Sequence, residues 1–288
     1  MKMNALYIVS LLVVVLVIGL PMLYLTKTRL RREKGITPLP AIGDVPARQW
    51  NGLANARIFF GHQSVGFNIV NGLEDITHQG GPVKLSIVET YSPVDFAGPV
   101  FAHAPVGKNT QPVSKIERFA EIMDAGVGDK VDVAFLKFCY VDITNKSDPC
   151  EIFEKYKTAI SDMEKRYPKV KYVHLTVPLK SPPKGLNKTL RSFVKWLFRM
   201  PTAIDDNLKR EEYNKLIRDA YAGSGRVFDL ARVESVGQNG LSCYVARENQ
   251  QIPFMAPEYT DDGGHLNPRG RKAVAEQMLI FLCGILAQ

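Results

Sequence analysis

The apolar positions divide the chain into three parts: a long uncharged run at the N-terminus, a short proline-rich stretch, and a remainder in which strand and helix patterns alternate. Strand-like runs recur at Ala56–Phe60, Lys84–Glu89, Val131–Phe138, Val170–Pro178 and Arg226–Leu230. Helical spacing follows most of them. Val65, Ile69, Leu73 and Ile76 come after the first run, Ile152 to Tyr167 after the third and Asn207 to Tyr221 after the fourth. The last helix is predicted to open with Asn267 as N-cap and Pro268 at the first helical position, where a missing N–H is no loss. Its tail, Met278 to Ala287, is apolar all round and too short to cross a bilayer. It is predicted to lie buried against a sheet, with a second membrane contact as the alternative. The β-α alternation predicts an α/β fold of three layers, a parallel sheet with helices on both faces.

Ala5 to Leu25 carries no charge, and at about 1.5 Å per helical residue it is long enough to cross a hydrocarbon core of roughly 30 Å. Leu23-Tyr24-Leu25-Thr26 runs straight into Lys27-Thr28-Arg29 without a small-residue cleavage site, which predicts an uncleaved transmembrane anchor. Thr37-Pro38-Leu39-Pro40 through Pro46 reads as a stiff linker. The domain division expected is therefore an anchor with its basic flank over 1–34, a linker over 35–50 and one large domain over 51–288. Lys180 to Met200, with Pro182, Pro183, Trp196 and a series of Lys and Arg, reads as an insertion on the rim, either a solvated loop and helix or a lid or membrane-touching element.

The composition, 45% hydrophobic and 23% charged over 288 residues, excludes collagen-like, disordered and disulfide-scaffold classes. The formal charge of +8 is concentrated in the first 34 residues, in Lys2, Lys27, Arg29, Arg31, Arg32 and Lys34 against Glu33, so the remainder is nearly neutral. That pattern fits contact with anionic headgroups and argues against nucleic acid. Cys139, Cys150, Cys243 and Cys283 show no framework spacing and fit either redox compartment. The basic flank favours a cytoplasmic domain by the positive-inside rule.

Open α/β sheets bind ligands at the carboxyl ends of their strands. The first strand leaves through Gly61-His62-Gln63-Ser64-Val65-Gly66, which puts Ser64 where a following helix offers unpaired N–H groups; a plain helix cap is the alternative. Near the other end, Asp262 precedes His265 by three residues in a glycine-rich loop. A serine needs a base, and an imidazole needs a carboxylate to fix its tautomer. Asp261 is expected to serve the turn or the cap. Cys139 reads as an inert buried thiol, with a nucleophile as the alternative. His62, His78, His103 and His174 lack the close pairing of a zinc motif; His62 and His103 are either substrate contacts or hydrogen-bonded structural residues. Lys137 is expected to pair with Asp142 or Asp132 or to snorkel, with a substrate-carboxylate contact as the alternative. Asp229 and Glu234 read as structural supports.

With the early strand-end serine and Asp262-Gly-Gly-His265-Leu-Asn-Pro-x-Gly270, the chain resembles the SGNH (GDSL-like) hydrolases from about Ala56 to Leu286. The resemblance implies a flavodoxin-like sheet and a metal- and cofactor-free ester hydrolase, with Ser64 as nucleophile, His265 as general base then acid, and Asp262 as orienting carboxylate. It implies an oxyanion hole from Ser64 and Gly107. Two blocks depart from the family: His62-Gln63-Ser64 stands for Gly-Asp-Ser, and Phe138-Cys139-Tyr140-Val141-Asp142 lacks the usual asparagine. Asn109, Asn145 or Tyr140 would then supply the missing donor, and His62 and Tyr140 would touch substrate. The expected partners are a small-molecule or glycan ester and the membrane. The expected protein is a single-pass, membrane-anchored esterase with an extracytoplasmic domain, against the charge rule. The alternatives are an O-acyltransferase on a cell-envelope sugar and a silent binding domain of the same fold.

Overall fold

A computed structural model describes residues 18–34, 38–247 and 250–287. Its centre is a six-stranded sheet of β2 (Arg57–His62), β3 (Ile87–Glu89), β4 (Val100–Pro105), β5 (Val133–Leu136), β6 (Lys171–Leu175) and β7 (Val227–Phe228), in the order β3-β4-β2-β5-β6-β7 with every neighbouring pair parallel. Without the edge strand β3, the order has the doubly wound pattern of flavodoxin-like sheets, with its switch point beside β2.

Side-chain alternation explains why both faces are covered. In β2, Ile58 and Phe60 point into one core with Val133, Phe135 and Val173, while Phe59 points into the other with Ala134, Leu136 and Tyr172. The first core is closed by α3 (Val65–His78) and α9 (Pro268–Leu286), through Ile69, Leu73, Val274, Met278 and Leu282. The second is closed by α4 (Pro112–Ile122), α5 (Pro149–Arg166) and α7 (Ala203–Ala220), through Phe119, Ile152, Tyr156, Tyr213 and Ile217. Asn267 caps α9 by accepting from the N–H groups of Arg269 and Gly270, and the helix's apolar tail is buried through Leu282, Cys283 and Ile285.

Five elements differ from the periodic reading. Val100–Pro105 is a central strand that the sequence hides, because Gly98-Pro99 before it, His103 within it and Pro105 at its end interrupt the apolar run. The loop holding Gly107 therefore leaves β4 rather than the Lys84–Glu89 strand. The basic flank forms β1 (Leu30–Lys34), antiparallel to β8 (Leu241–Arg247), which also pairs with β9 (Gln250–Pro253). The expected linker boundary falls inside a helix, α2 (Ala47–Ala54), that packs Trp50 and Leu53 into the first core.

Among the described residues no helix is long and apolar enough to cross a membrane. The described end of the uncharged run is α1 (Leu20–Thr28), nine residues whose Tyr24 is buried against Phe193 and Trp196. Residues 5–17, most of the expected span, lie outside the described residues. The rim segment contains α6 (Leu186–Leu197), which buries no residue of its own.

Gly72 lets α3 approach α9: a Cβ there would lie 2.5 Å from the Arg271 carbonyl oxygen. Backbone cannot yield as a side-chain tip can, so Gly72→Ala is expected to cost about 1–3 kcal/mol. Thermal denaturation should show a lowered midpoint with an unchanged far-ultraviolet spectrum.

Candidate active site

The switch point gathers three loops, leaving β2, β4 and β5, and a fourth that enters α9. Ser64 follows β2 and precedes α3 with φ 51° and ψ −107°, a left-handed conformation that costs a non-glycine residue about 1–3 kcal/mol. The sharp turn is possible because residue 66 is glycine; a Cβ at Gly66 would overlap the His62 ring. Ser64 stands at the N-cap position, yet its hydroxyl makes no capping bond. It lies instead 2.7 Å from His265 Nε2.

His265 is held from its other side. Its Nδ1 is 2.6 Å from Asp262 Oδ2, while Asp262 Oδ1 accepts from the N–H groups of Gly264 and His265, each at 2.8 Å. Thr260 Oγ1 reaches Asp262 Oδ1 at 3.2 Å and accepts from the Gly263 N–H, and Gly263 supplies the left-handed residue the loop needs at φ 95°. The Leu266 N–H donates to Asn68 Oδ1 on α3, fastening this loop beside the serine. Burial pushes the Asp262 carboxyl up. The hydrogen bonds from the His265 ring and from the two N–H groups outweigh it and hold the carboxyl well below the usual carboxylate range. An ionised Asp262 accepts a hydrogen bond from Nδ1–H and so fixes the ring proton there, which leaves Nε2 as the acceptor for the Ser64 O–H. Asp261, by contrast, accepts from Asn267 Nδ2 and serves the turn.

Two further loops meet the serine. Gln63 Nε2 donates to the Gly107 carbonyl, which brings the β4 loop against the serine turn. Gly107 has φ 56°, and a Cβ there would collide with the Lys115 backbone. Lys115, fully buried, donates to Asn109 Oδ1 at 2.9 Å and to Asp142 Oδ2 at 2.5 Å. Asp142 also accepts from the N–H groups of Cys139 and Thr110, so one buried ion pair ties α4 and the loops after β4 and β5 together. With its carbonyl oxygen engaged by Lys115, the Asn109 amide presents its NH2. Among the described residues, no hydrogen-bond partner is found for that NH2 or for the N–H groups of Ser64 and Gly107.

Other expected residues fall elsewhere. His62 is fully buried, stacked on His103 and bonded to it ring to ring at 3.0 Å, so it offers no face to a substrate. Burial, then the nearby Lys137 charge, pushes its imidazole down to about 2 and keeps it neutral. Tyr140 stands edge-on to His265 with ring centroids 5.8 Å apart and fills the space where a Cβ on Gly264 would be. Asn145 is committed to Asp206, to which its Nδ2 donates at 2.6 Å. Lys137 pairs with neither Asp142 nor Asp132, which are taken by Lys115 and Arg57; it is buried 3.4 Å from Cys139 Sγ. Asp229 holds Arg218 and caps α8 (Leu230–Ser235). Lys115 escaped the sequence reading although it had a signal: it lies beside Ile116 on the stripe that continues to Phe119 and Ile122, a cation on an apolar helix face.

The segment after β6 is clamped by polar residues of α7. Asn214 brackets Val177, Asn207 brackets Lys180, and Arg210 donates to the Tyr140 carbonyl and to Asn207 Oδ1. Glu234 accepts from the Leu179 N–H but is otherwise walled in; burial pushes its carboxyl up to about 8 against the lowering effects of that bond and of Lys137 and Arg210.

No protein-family model matches the chain, and no curated protein matches it significantly. Among solved structures, it is similar to a provisionally assigned platelet activating factor from Streptococcus pneumonia, at 16% identity over 97% of this chain and 99% of that one, with a TM-score of 0.47. It is also similar to the salicylyl-acyltransferase SsfX3 of a tetracycline biosynthetic pathway, at 13% identity over 77% of this chain and 53% of that one, with a TM-score of 0.35. Likenesses this distant carry no argument about chemistry, which rests on the geometry above.

Glu234 binds its proton more tightly in the folded state than in the unfolded one. Its contribution to stability is full below the ordinary carboxyl range and drains away as pH rises towards 8. Between pH 5 and 8.5, wild-type stability should therefore fall relative to Glu234→Gln by on the order of a few kcal/mol, read from parallel thermal denaturation series.

Proposed function

We propose that the protein is a serine hydrolase that cleaves an O-acyl ester through Ser64, His265 and Asp262 and is held at a membrane by its N-terminal run. The observation that carries this reading is the relay from the Ser64 hydroxyl to His265 Nε2 and from Nδ1 to Asp262, with the hydroxyl turned towards the histidine and away from its helix. A cap serine would do the reverse.

In the proposed cycle, Ser64 Oγ attacks the acyl carbonyl as its proton passes to Nε2, and the ionised Asp262 stabilises the resulting imidazolium. The tetrahedral intermediate collapses: the ester C–O bond breaks, and the alcohol leaves with the proton from Nε2. Water, deprotonated by the same nitrogen, then attacks the acyl-enzyme, and its collapse returns the proton to Ser64. The negative oxygen of each intermediate is received by the N–H groups of Ser64 and Gly107 and by the Asn109 NH2. Asn109 thus stands in for the asparagine missing after Cys139, with Lys115 holding it in the donating orientation.

A fluorophosphonate probe should label the wild-type protein at Ser64, and Ser64→Ala and His265→Ala should abolish labelling. Asp262→Asn is expected to lower kcat on p-nitrophenyl acetate by about 10⁴ and Asn109→Ala by about 10²–10³. No labelling in the wild type would return the chain to the class of non-catalytic binding domains, and labelling that survives in Ser64→Ala would move the nucleophile to another residue.

The uncharged run Ala5–Leu25 and the exposed apolar side chains Met22, Leu23 and Leu25 support the membrane attachment. An extracytoplasmic catalytic domain is expected to make a phosphatase fused after Gln288 active and a fluorescent protein at the same place dark. The opposite pattern would put the domain in the cytoplasm.

A further inference from the structure

A pocket of about 280 Å³ shares Asp262 with the proposed relay and is lined by Asp261, Asp262 and Gly263 together with Lys180, Ser181, Lys184, Lys188, Arg191 and Ser192. The cations outnumber the carboxylates.

The cations differ in what holds them. Lys184 is spent on the carbonyls of Pro257 and Thr260. Lys180 lies over the Tyr140 ring, its ammonium 5.3 Å from the centroid, and makes no ion pair. Burial, then the positive charge of Arg210, holds its ammonium below the ordinary lysine value. Lys188 and Arg191, on α6, have no hydrogen-bond or ion-pair partner among the described residues. The Ser181 hydroxyl in the same wall is 3% exposed and has no partner either. Unpaired cations brought together beside an unsatisfied hydroxyl attract an anion.

We propose that this pocket is a subsite for a phosphate or carboxylate group carried by the ester substrate, with Lys180, Lys188 and Arg191 as its cations. The inference rests on the hydrolase reading and names the substrate class for it. The pocket is separated from Ser64 by the His265 ring and the Asp262 carboxylate, and Tyr140 touches both His265 and Lys180. A bare acetate ester has no group to place in this pocket. α6 also exposes Leu186, Leu190 and Val194, so the phosphate could come from a lipid as well as from a soluble ester.

The test is a matched pair: the butyrate ester of glycerol 3-phosphate against monobutyrin. The wild-type protein is expected to show a kcat/KM at least ten-fold higher for the phosphorylated ester, carried by KM. The preference should collapse towards unity in Lys188→Ala/Arg191→Ala and return in Lys188→Arg/Arg191→Lys. A lauroyl pair carried in phosphatidylcholine vesicles identifies the source. A preference kept at the vesicle supports a lipid phosphate, and one seen only in solution supports a soluble anion. Equal KM values for both esters in the wild type would overturn the subsite while leaving the hydrolase intact. If neither ester is turned over, the hydrolase reading is what fails; calorimetric titration with glycerol 3-phosphate then decides the subsite, with no heat of binding, or heat unchanged in the double variant, as the overturning result.

Discussion

The buried ion pair between Lys115 and Asp142 is the constraint on which the site depends. Neither group tolerates burial alone, because an uncompensated charge in the interior costs several kcal/mol. Together, with the N–H groups of Cys139 and Thr110 and the Asn109 carbonyl filling the remaining valences, they make a small polar knot that joins α4 to the loops after β4 and β5. Those loops leave different strands. What sets their relative positions is this knot, and the strained serine turn and the His265 loop close over it.

The same solution is repeated around the sheet's carboxyl edge. Asn207 and Asn214 hold the chain after β6 from both its N–H and C=O groups, and Arg210 reaches the backbone after β5. A parallel sheet delivers its ligand-facing loops where regular hydrogen bonding has ended. Buried side chains must supply the partners that secondary structure no longer provides. The apolar cores fix the strands, and the polar residues fix what leaves them.

This division explains how much of the molecule was legible in its sequence. The layers could be read because Ile58, Phe59 and Phe60 alternate between two cores and because Asn267-Pro268 announces a helix. Ser64, Asp262 and His265 could be singled out from local signals: a serine after a strand, and a carboxylate three residues before a histidine. The structure brings these three together. Of the two readings of His62, the structure fits the hydrogen-bonded structural residue and not the substrate contact, since the strand carries it inside the core with its ring against His103. Lys137 was paired with the wrong carboxylates because the competing cation, Lys115, lies on a helix whose approach only tertiary packing sets. Strand β4 was missed for a similar reason: a central strand with His103 and a closing Pro105 is stabilised by its neighbours, not by its own pattern.

The pairing of β1 with β8 has a mechanical consequence. Helix α1 ends at Thr28, and the next strand begins at Leu30, already hydrogen-bonded into the body of the protein. The prolines at positions 38, 40 and 46 come only after that junction, so they can lend no slack between α1 and the domain. Whatever grips the N-terminal helix therefore also sets the tilt of the sheet's carboxyl edge, as a short stiff handle would, and not merely its distance. Loosening that joint with inserted glycines would leave the folded body unaltered while freeing its heading.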